Sequence, residues 1–439
     1  MHFRLDELAA ALGGRLIGEH ASFVTCDGVT TDSRHVGLGA LFVPLTAERD
    51  GHEYIFDAVR SGAGAYLCSY LVGDGPAIVV DDTGKALISV GTIARQRLQA
   101  TAGGRVVGIT GSVGKTSAKD LTAAALRGHF PGVAANERSF NNEIGLPLTL
   151  ANAAIDAQAV VVEMGMRGFG HIAKLCEIAQ PDVGVITNIG VAHGEFVGGP
   201  VGIARAKGEL VEALPRNGFA VLPHGDEFFE TLRERSGAPV VSFGMGCGDV
   251  CVGPINLDAE LRPSFVVETP WGTVDLCLEV RGAHMALNAA VALAVAGVLG
   301  VPLDVAAGGL STASLSPWRM EVHRLASGAM LINDSYNANP VSMAAALRSL
   351  AQAPASRRVA IVGVMAELGE NEKQSHFEMA ELAQSLGIEL VAVGCDWYGV
   401  VPTPGPIEAL GDINGDTAIL IKASRSAGLE RFANQLLSA

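Results

Sequence analysis

The chain has 439 residues, 49% of them hydrophobic and 18% charged, and a formal net charge of −15. That length predicts two to four domains with large cores, and that composition excludes a disordered protein. The acidic balance argues against nucleic acid or an anionic membrane surface as the main partner, although a few local cations can still hold a phosphorylated small molecule.

The first hundred residues mix short strands and helices. "LFVPL" (41–45), "AYLCSY" (65–70) and "AIVVDD" (77–82) read as strands, and 55–62 and 86–100 have helical spacing. "TAGG" (101–104) reads as a linker. From Arg105 the rhythm becomes strand, turn, helix. "RVVGIT", "AVVVEMG" (159–165), "DVGVITNIG" (182–190) and "GFAVLPHGD" (218–226) are apolar runs ending in polar or glycine residues. Such runs alternating with helices predict a parallel sheet covered on both faces, with ligands at the strands' carboxyl ends. Residues 281–300 read as one long buried helix, since the apolar stretch around 289–303 is too short to span a bilayer. After about Ser311 a third set of strands follows at 329–340, 357–365, 388–394 and 417–425, with a helix over 371–387. Arg4, Asp6 and Glu7 interrupt any signal-peptide core at the start. The seven cysteines are scattered, and Cys247 and Cys251 have no second pair at zinc spacing, so free thiols in the cytoplasm are expected.

The stretch "GITGSVGKTS" (108–117) is the chemical landmark. The Walker pattern G-x-x-x-x-G-K-[ST] would place its first glycine at 109, where this chain has Ile109. The shorter pattern Gly111-x-x-Gly114-Lys115-Thr116 remains, between an apolar strand and a helix. Glycines there let backbone N–H groups close on phosphate oxygens, and the helix N-terminus adds positive potential. Lys115 is expected at the β- and γ-phosphates and the Thr116 hydroxyl at Mg²⁺. Glu163 ends a buried strand, where such folds hold the metal.

The shortened loop resembles that of the Mur ligase superfamily, ATP-dependent amide-forming enzymes. Further stretches resemble it in order along the chain: "SFNNEIGLPLTL" (139–150), "NIGVAHGEF" (188–196), "ARAKGEL" (204–210), "HMALNAA" (284–290), "WRMEV" (318–322), "NDSYNANP" (333–340) and "MAELGE" (365–370) with His376. "TDSRHVGLGALFVPL" and "RDGHEYI" resemble its uridine-nucleotide domain. The resemblance implies an α/β protein of three domains. These are a UDP-substrate domain over 1–103, a P-loop-type ATP-binding domain with a parallel sheet over 104–312, and a Rossmann-like domain over 313–439 for the amine substrate and the adenine and ribose.

It also implies site residues. ATP would be held by Thr110, Gly111, Ser112, Val113, Gly114, Lys115, Thr116, Asn288, Arg319, Asp334, Tyr336 and Asn337. The metal, Mg²⁺ and in all two ions, would be held by Thr116, Glu163, His193 and a CO₂-derived carbamate on Lys207. The catalytic set would be Lys115, Lys207, His193 and Arg319, and the UDP-substrate would meet Ser33, Arg34, Asn141 and Asn142. Without the resemblance, Lys207 reads as a surface lysine and His193 as a structural histidine. D-S-Y-N-A-N-P with M-A-E-L-G-E points to the branch that adds D-alanyl-D-alanine to a UDP-N-acetylmuramoyl-tripeptide. Another amino-acid-adding ligase, or an ATPase that forms no bond, shares much of this pattern. Expected partners are these small molecules alone, without nucleic acid or membrane insertion, for a monomer. Asn333, Met285, Trp318 and Ala423 depart from the family pattern, standing where an acid, asparagine, glycine and glycine are common.

Overall fold

The computed structural model describes residues 1–73, 75–137, 140–190 and 197–438. The chain forms three successive α/β units, each with its own main sheet. In the first, the parallel strands Val29–Thr30, Leu41–Phe42, Ala65–Cys68 and Ala77–Val79 carry Arg15–Ile17 antiparallel on the far edge. The helix Thr83–Ala102 then leads out. It starts because the Asp82 side chain accepts the Lys85 N–H at 3.0 Å, and it stops at Gly103, whose φ of +60° suits a helix C-terminus. The expected linker therefore shrinks to Gly103 and Gly104, since Thr101 and Ala102 still belong to the helix.

The central sheet runs Val133–Ala135, Ala159–Glu163, Arg105–Thr110, Val183–Ile186, Phe219–Pro223, Val240–Met245 and Val250–Val252, all parallel. Every residue of Ala159–Glu163 and Val183–Ile186 is buried, as a sheet covered on both faces requires. The sheet continues into an antiparallel extension, Asn256–Leu257, Pro263–Thr269 and Gly272–Cys277, that the run of apolar strands did not announce. Its middle strand alternates between buried and exposed residues, so its signal is weaker.

Residues 281–300 divide differently from the single helix expected. Met285–Val298 is helical and Gly300 turns at φ +75°. A second helix, Leu303–Ser311, follows. The first of these packs along the helix Lys115–Arg127. In the third unit, Met330–Asn333, Thr417–Lys422, Arg357–Val362 and Glu389–Ala392 are parallel, and Glu321–Arg324 is antiparallel on the edge.

The apolar cores cross between units. One runs from Val107 and Val161 through the helix Met285–Val298 to Ile332 and Ala360. Another joins Leu87 and Val90 to Leu146 and Val160. Both outer units thus rest on the central sheet, leaving a cleft over its carboxyl edge.

Candidate active site

That cleft holds a cavity of about 1390 Å³, lined from the central and C-terminal units and by Ile88 and Thr92 of the helix Thr83–Ala102. At its base is the turn between Arg105–Thr110 and Lys115–Arg127. Ile109 is still in the strand with its side chain fully buried, so the turn begins only at Gly111. Gly111 has φ +150°, and a Cβ there would lie 1.9 Å from Thr187 Oγ1. Gly114 has φ +84°, and its Cβ would lie 2.8 Å from Asn288 Oδ1. Only glycine fits either place. The first intrahelical bond runs from the Ala118 N–H to Gly114 O at 2.8 Å. The N–H groups of Lys115, Thr116 and Ser117 therefore project from the helix end without intrahelical partners.

The loop is braced from the next strand end. Asn188 accepts the Val113 N–H through Oδ1 at 3.0 Å and donates back to Val113 O at 2.9 Å. Thr187 Oγ1 donates to Val113 O at 2.6 Å, and Ser112 Oγ accepts the Gly190 N–H at 2.8 Å. Thr187 and Asn188 were not singled out in the sequence, although both lie in or beside the strand-end motif quoted from it. Thr110 turns away from the cavity, since it is fully buried and its hydroxyl donates to Met164 O at 2.8 Å.

Glu163 sits opposite the helix start, 2% exposed. Its Oε2 accepts the Thr116 hydroxyl at 2.5 Å and its Oε1 accepts the Asn141 amide at 2.8 Å. The Lys115 ammonium folds back onto Gly111 O at 2.7 Å. Burial lowers its pKa, Glu163 opposes that shift, and Arg319 adds to it. Lys207, on the helix Gly199–Glu212, is 1% exposed, so its side chain is interior and the surface-lysine reading falls. Burial first, and then the charge of Lys115, push its pKa well below the ordinary lysine value. His193 lies outside the described residues.

Arg319 reaches the same point from the C-terminal side. Its Nη2 donates to Thr116 Oγ1 at 2.8 Å, and its guanidinium lies 4.3 Å above the Tyr336 ring. Its neighbours Trp318 and Met320 both take positive φ, +62° and +51°. The Met320 N–H donates to Asp334 Oδ1 at 3.1 Å, and Lys422 donates to Asp334 Oδ2 at 2.5 Å. Asn288, Tyr336 and Asn337 line the same cavity.

The structure accounts for three of the four departures in local terms. Met285 places its thioether 3.6 Å from the Asn288 amide. Asn333 Oδ1 accepts the Ser335 hydroxyl at 2.7 Å. Ala423 is packed against the backbone at Gly363, where an added Cβ would lie only 2.9 Å away.

Of the residues expected at the UDP-substrate, Asn141 and Asn142 line the cavity, whereas Ser33 and Arg34 do not. Arg34 pairs with Asp32 within its own turn, Nη2 to Oδ2 at 2.8 Å, and is exposed. The four are not brought together. Arg167, Lys174, Lys422 and Arg425 line the cavity and were missed. Arg167 follows closely on the "VVVEMG" strand end, and Lys174 lies on the next helix, His171–Ala179.

The Mur ligase middle domain matches residues 109–296, and the Mur ligase glutamate ligase domain matches 318–401. The UDP-N-acetylmuramoyl-tripeptide–D-alanyl-D-alanine ligase of Escherichia coli is 34% identical, over 98% of either chain. That of Mycobacterium bovis is 37% identical, over 93% of this chain and 92% of its own. The crystal structure of MurF from Acinetobacter baumannii superposes with a TM-score of 0.88 at 29% identity, covering 100% of this chain and 99% of that one. MurF ligase from Thermotoga maritima, solved in complex with ADP, gives 0.81 at 27% identity over 94% and 97%. The chain belongs to the Mur ligase family, among the UDP-N-acetylmuramoyl-tripeptide–D-alanyl-D-alanine ligases.

Proposed function

We propose that this chain is an ATP-dependent ligase of peptidoglycan precursor synthesis, joining D-alanyl-D-alanine to the terminal carboxylate of a UDP-N-acetylmuramoyl-tripeptide. The observation that carries this reading is the convergence on Thr116 of the phosphate-loop helix, Glu163 and Arg319, within 2.5 and 2.8 Å, in a chain similar to such ligases over its whole length.

In the chemistry, a carboxylate oxygen of the tripeptide attacks the γ-phosphorus and ADP leaves. The dipeptide amine then attacks the acyl phosphate, loses a proton, and expels inorganic phosphate. The first step brings one anion against another, so fixed cations are needed in line with the transfer. Lys115 and the free N–H groups of the helix start face one side of the transferred phosphoryl group, and Arg319 closes the other. Tyr336 holds the Arg319 plane by stacking.

Thr116 Oγ1 and Glu163 Oε2 form a hard-oxygen pair that fits Mg²⁺, which takes one or two protein oxygens and completes its shell with phosphate and water. When bound, Mg²⁺ would neutralise charge on the transferred phosphoryl group. Lys207 as an ammonium does not suit a cation site. Its burial favours the neutral amine, which can add to CO₂ and, losing a proton, become a carboxylate-like group. We assign residues 1–103 to the UDP-substrate, 104–312 to ATP, and 313–439 to the amine with the adenine and ribose. Among the described residues no helix is long and apolar enough to cross a membrane. A monomer working in the cytoplasm, where ATP is available, completes the proposal.

The test is phosphate release with the UDP-tripeptide and a panel of amines. Release is expected only when tripeptide and amine are both present, and fastest with D-alanyl-D-alanine. Equal rates with D-alanine and the dipeptide would defeat the dipeptide assignment.

A further inference from the structure

We infer that Arg425 binds the terminal carboxylate of the incoming dipeptide and so selects a dipeptide acid as the amine substrate. This rests on the dipeptide reading above. The dipeptide carries an amine that must reach the acyl carbon near Lys115 and Arg319. Its carboxylate stands about 7 Å further along an extended two-residue chain. That distance calls for a second cation, away from the phosphate loop and on the wall that receives the amine.

Most cations around the cavity already have work. Lys115 and Arg319 face the phosphoryl group, and Lys207, although it lines the cavity, is 1% exposed and is the residue assigned to the carbamate. Lys422 is 2% exposed and tied to Asp334 Oδ2 at 2.5 Å and Asn337 O at 2.9 Å. Arg167 and Lys174 line the cavity from the central unit, in the segment after Glu163 and on the helix His171–Ala179, and not from the C-terminal unit. Arg425 lines the cavity from the C-terminal unit, just beyond the strand Thr417–Lys422.

Its guanidinium is built to present an edge. The Trp318 ring lies 4.3 Å beneath it, and Glu430 Oε1 holds Nη1 at 2.8 Å. Stack and ion pair together fix the plane. Nε and Nη2 have no hydrogen-bond partner among the described residues. Stacking occupies the face of a guanidinium and leaves its in-plane donors able to grip a carboxylate. The neighbouring Ser424 hydroxyl is not available for that task, because it accepts the Ala366 N–H at 2.8 Å and donates to Ala338 O at 3.2 Å.

The experiment measures kcat and KM with D-alanyl-D-alanine and with its C-terminal amide, which keeps the amine and lacks the charge. Wild-type enzyme is expected to prefer the acid by about 100-fold in kcat/KM, the scale of one charge-assisted contact. Arg425→Ala should lose about 100-fold with the acid, mostly in KM, and less than about threefold with the amide, so that the preference disappears. Arg425→Lys, with charge but no fork, should keep an intermediate preference. KM for ATP and for the UDP-tripeptide should stay within about twofold in both variants.

An Arg425→Ala enzyme that still prefers the acid as strongly overturns the inference. So does an equal loss with both amines, or a defect that falls on KM for ATP. A wild-type enzyme that forms no product with the dipeptide overturns the ligase reading itself, which separates the two failures.

Discussion

The phosphate loop and the arm carrying Arg319 meet at one atom, Thr116 Oγ1, and they reach it by opposite means. The loop bends through Gly111 and Gly114, where no side chain fits because Thr187 and Asn288 occupy the space. The arm bends through Trp318 and Met320, which hold positive φ with full side chains. Such a backbone costs roughly 1 kcal/mol or more per residue and persists only where the surroundings impose it. Here the Trp318 N–H donates to Glu321 Oε1 at 3.0 Å, Trp318 O accepts the Tyr336 N–H at 3.2 Å, and Arg425 covers the ring. The loop removes side chains so that backbone N–H groups become the binding surface. The arm uses side chains to aim one guanidinium across a boundary between two units. One is a cradle set by local shape, and the other is a pointer set by tertiary contacts.

The largest effects should come from filling the cradle. Gly111→Ala forces a Cβ into Thr187, and we expect ligation to fall by at least about 1,000-fold with a stability loss of roughly 2–4 kcal/mol. Steady-state assays and urea unfolding measure the two, and a variant with near-normal kcat would mean that the loop is not rigid. Lys207→Ala, on the lining of the same cavity, should lose about 100-fold or more in kcat with stability little changed, because burial already disfavours the charged form of the lysine. Short carboxylates added to the assay should restore part of that activity. Full activity in Lys207→Ala would remove the carbamate from the mechanism.

On the pointer's side the test is pH. His376 is fully buried behind the loop that carries Glu367, itself at φ +65°. Its Nδ1–H donates to Glu372 O at 2.6 Å, so Nε2 is the lone pair that accepts the Met365 N–H at 2.8 Å. The Trp397 and Tyr398 rings pack edge-on against it. Burial lowers its pKa, so in acid the unfolded chain binds a proton that the folded chain resists. Stability from this group is complete above the unfolded value of about 6.5 and is lost as pH falls toward the folded one. His376→Gln should therefore flatten the fall in stability between about pH 6.5 and 5, read by urea unfolding across that range. An unchanged slope would exclude His376 as its source.

The cradle was legible in the sequence because its signal is local. Gly111, Gly114, Lys115 and Thr116 stand at fixed spacing between an apolar strand and a helix, and Glu163 ends the neighbouring strand. The pointer was legible only as a motif. Nothing in "WRMEV" states that Trp318 takes φ +62° or that its ring lies under Arg425, since the first rests on tertiary contacts that include Tyr336 and the second on a residue about a hundred positions away. The burial of Lys207 was hidden for the same reason. Its helix begins at Gly199 with no side-chain cap, and its pattern does not mark the face that meets the loop. Ser33 and Arg34 show the limit from the other side. Their motif is plain, but sequence carries no distance between units, and the structure leaves them off the shared cavity. Arg167 and Lys174 lie past the strand end that carries Glu163, where no spacing pattern marks a lysine or arginine as facing the cavity.

The smallest effect is the most informative about the pointer. Trp318→Gly keeps the left-handed bend and removes its strain, worth roughly 1 kcal/mol, while deleting a cation–π contact worth about 0.5–1 kcal/mol. Net stability should change by less than about 1 kcal/mol, because the two terms oppose each other. Activity should still fall about three- to tenfold, in kcat more than in KM for ATP, because the ring that fixes both Arg425 and the backbone before Arg319 is gone. Trp318→Ala loses the ring and keeps the strain, so it should be less stable than Trp318→Gly by roughly 1 kcal/mol at similar activity. If instead the two variants were equally stable, the positive φ at 318 would not be a strained state. The arm would then be shaped by its partners alone, and the contrast with the glycine-built cradle would disappear.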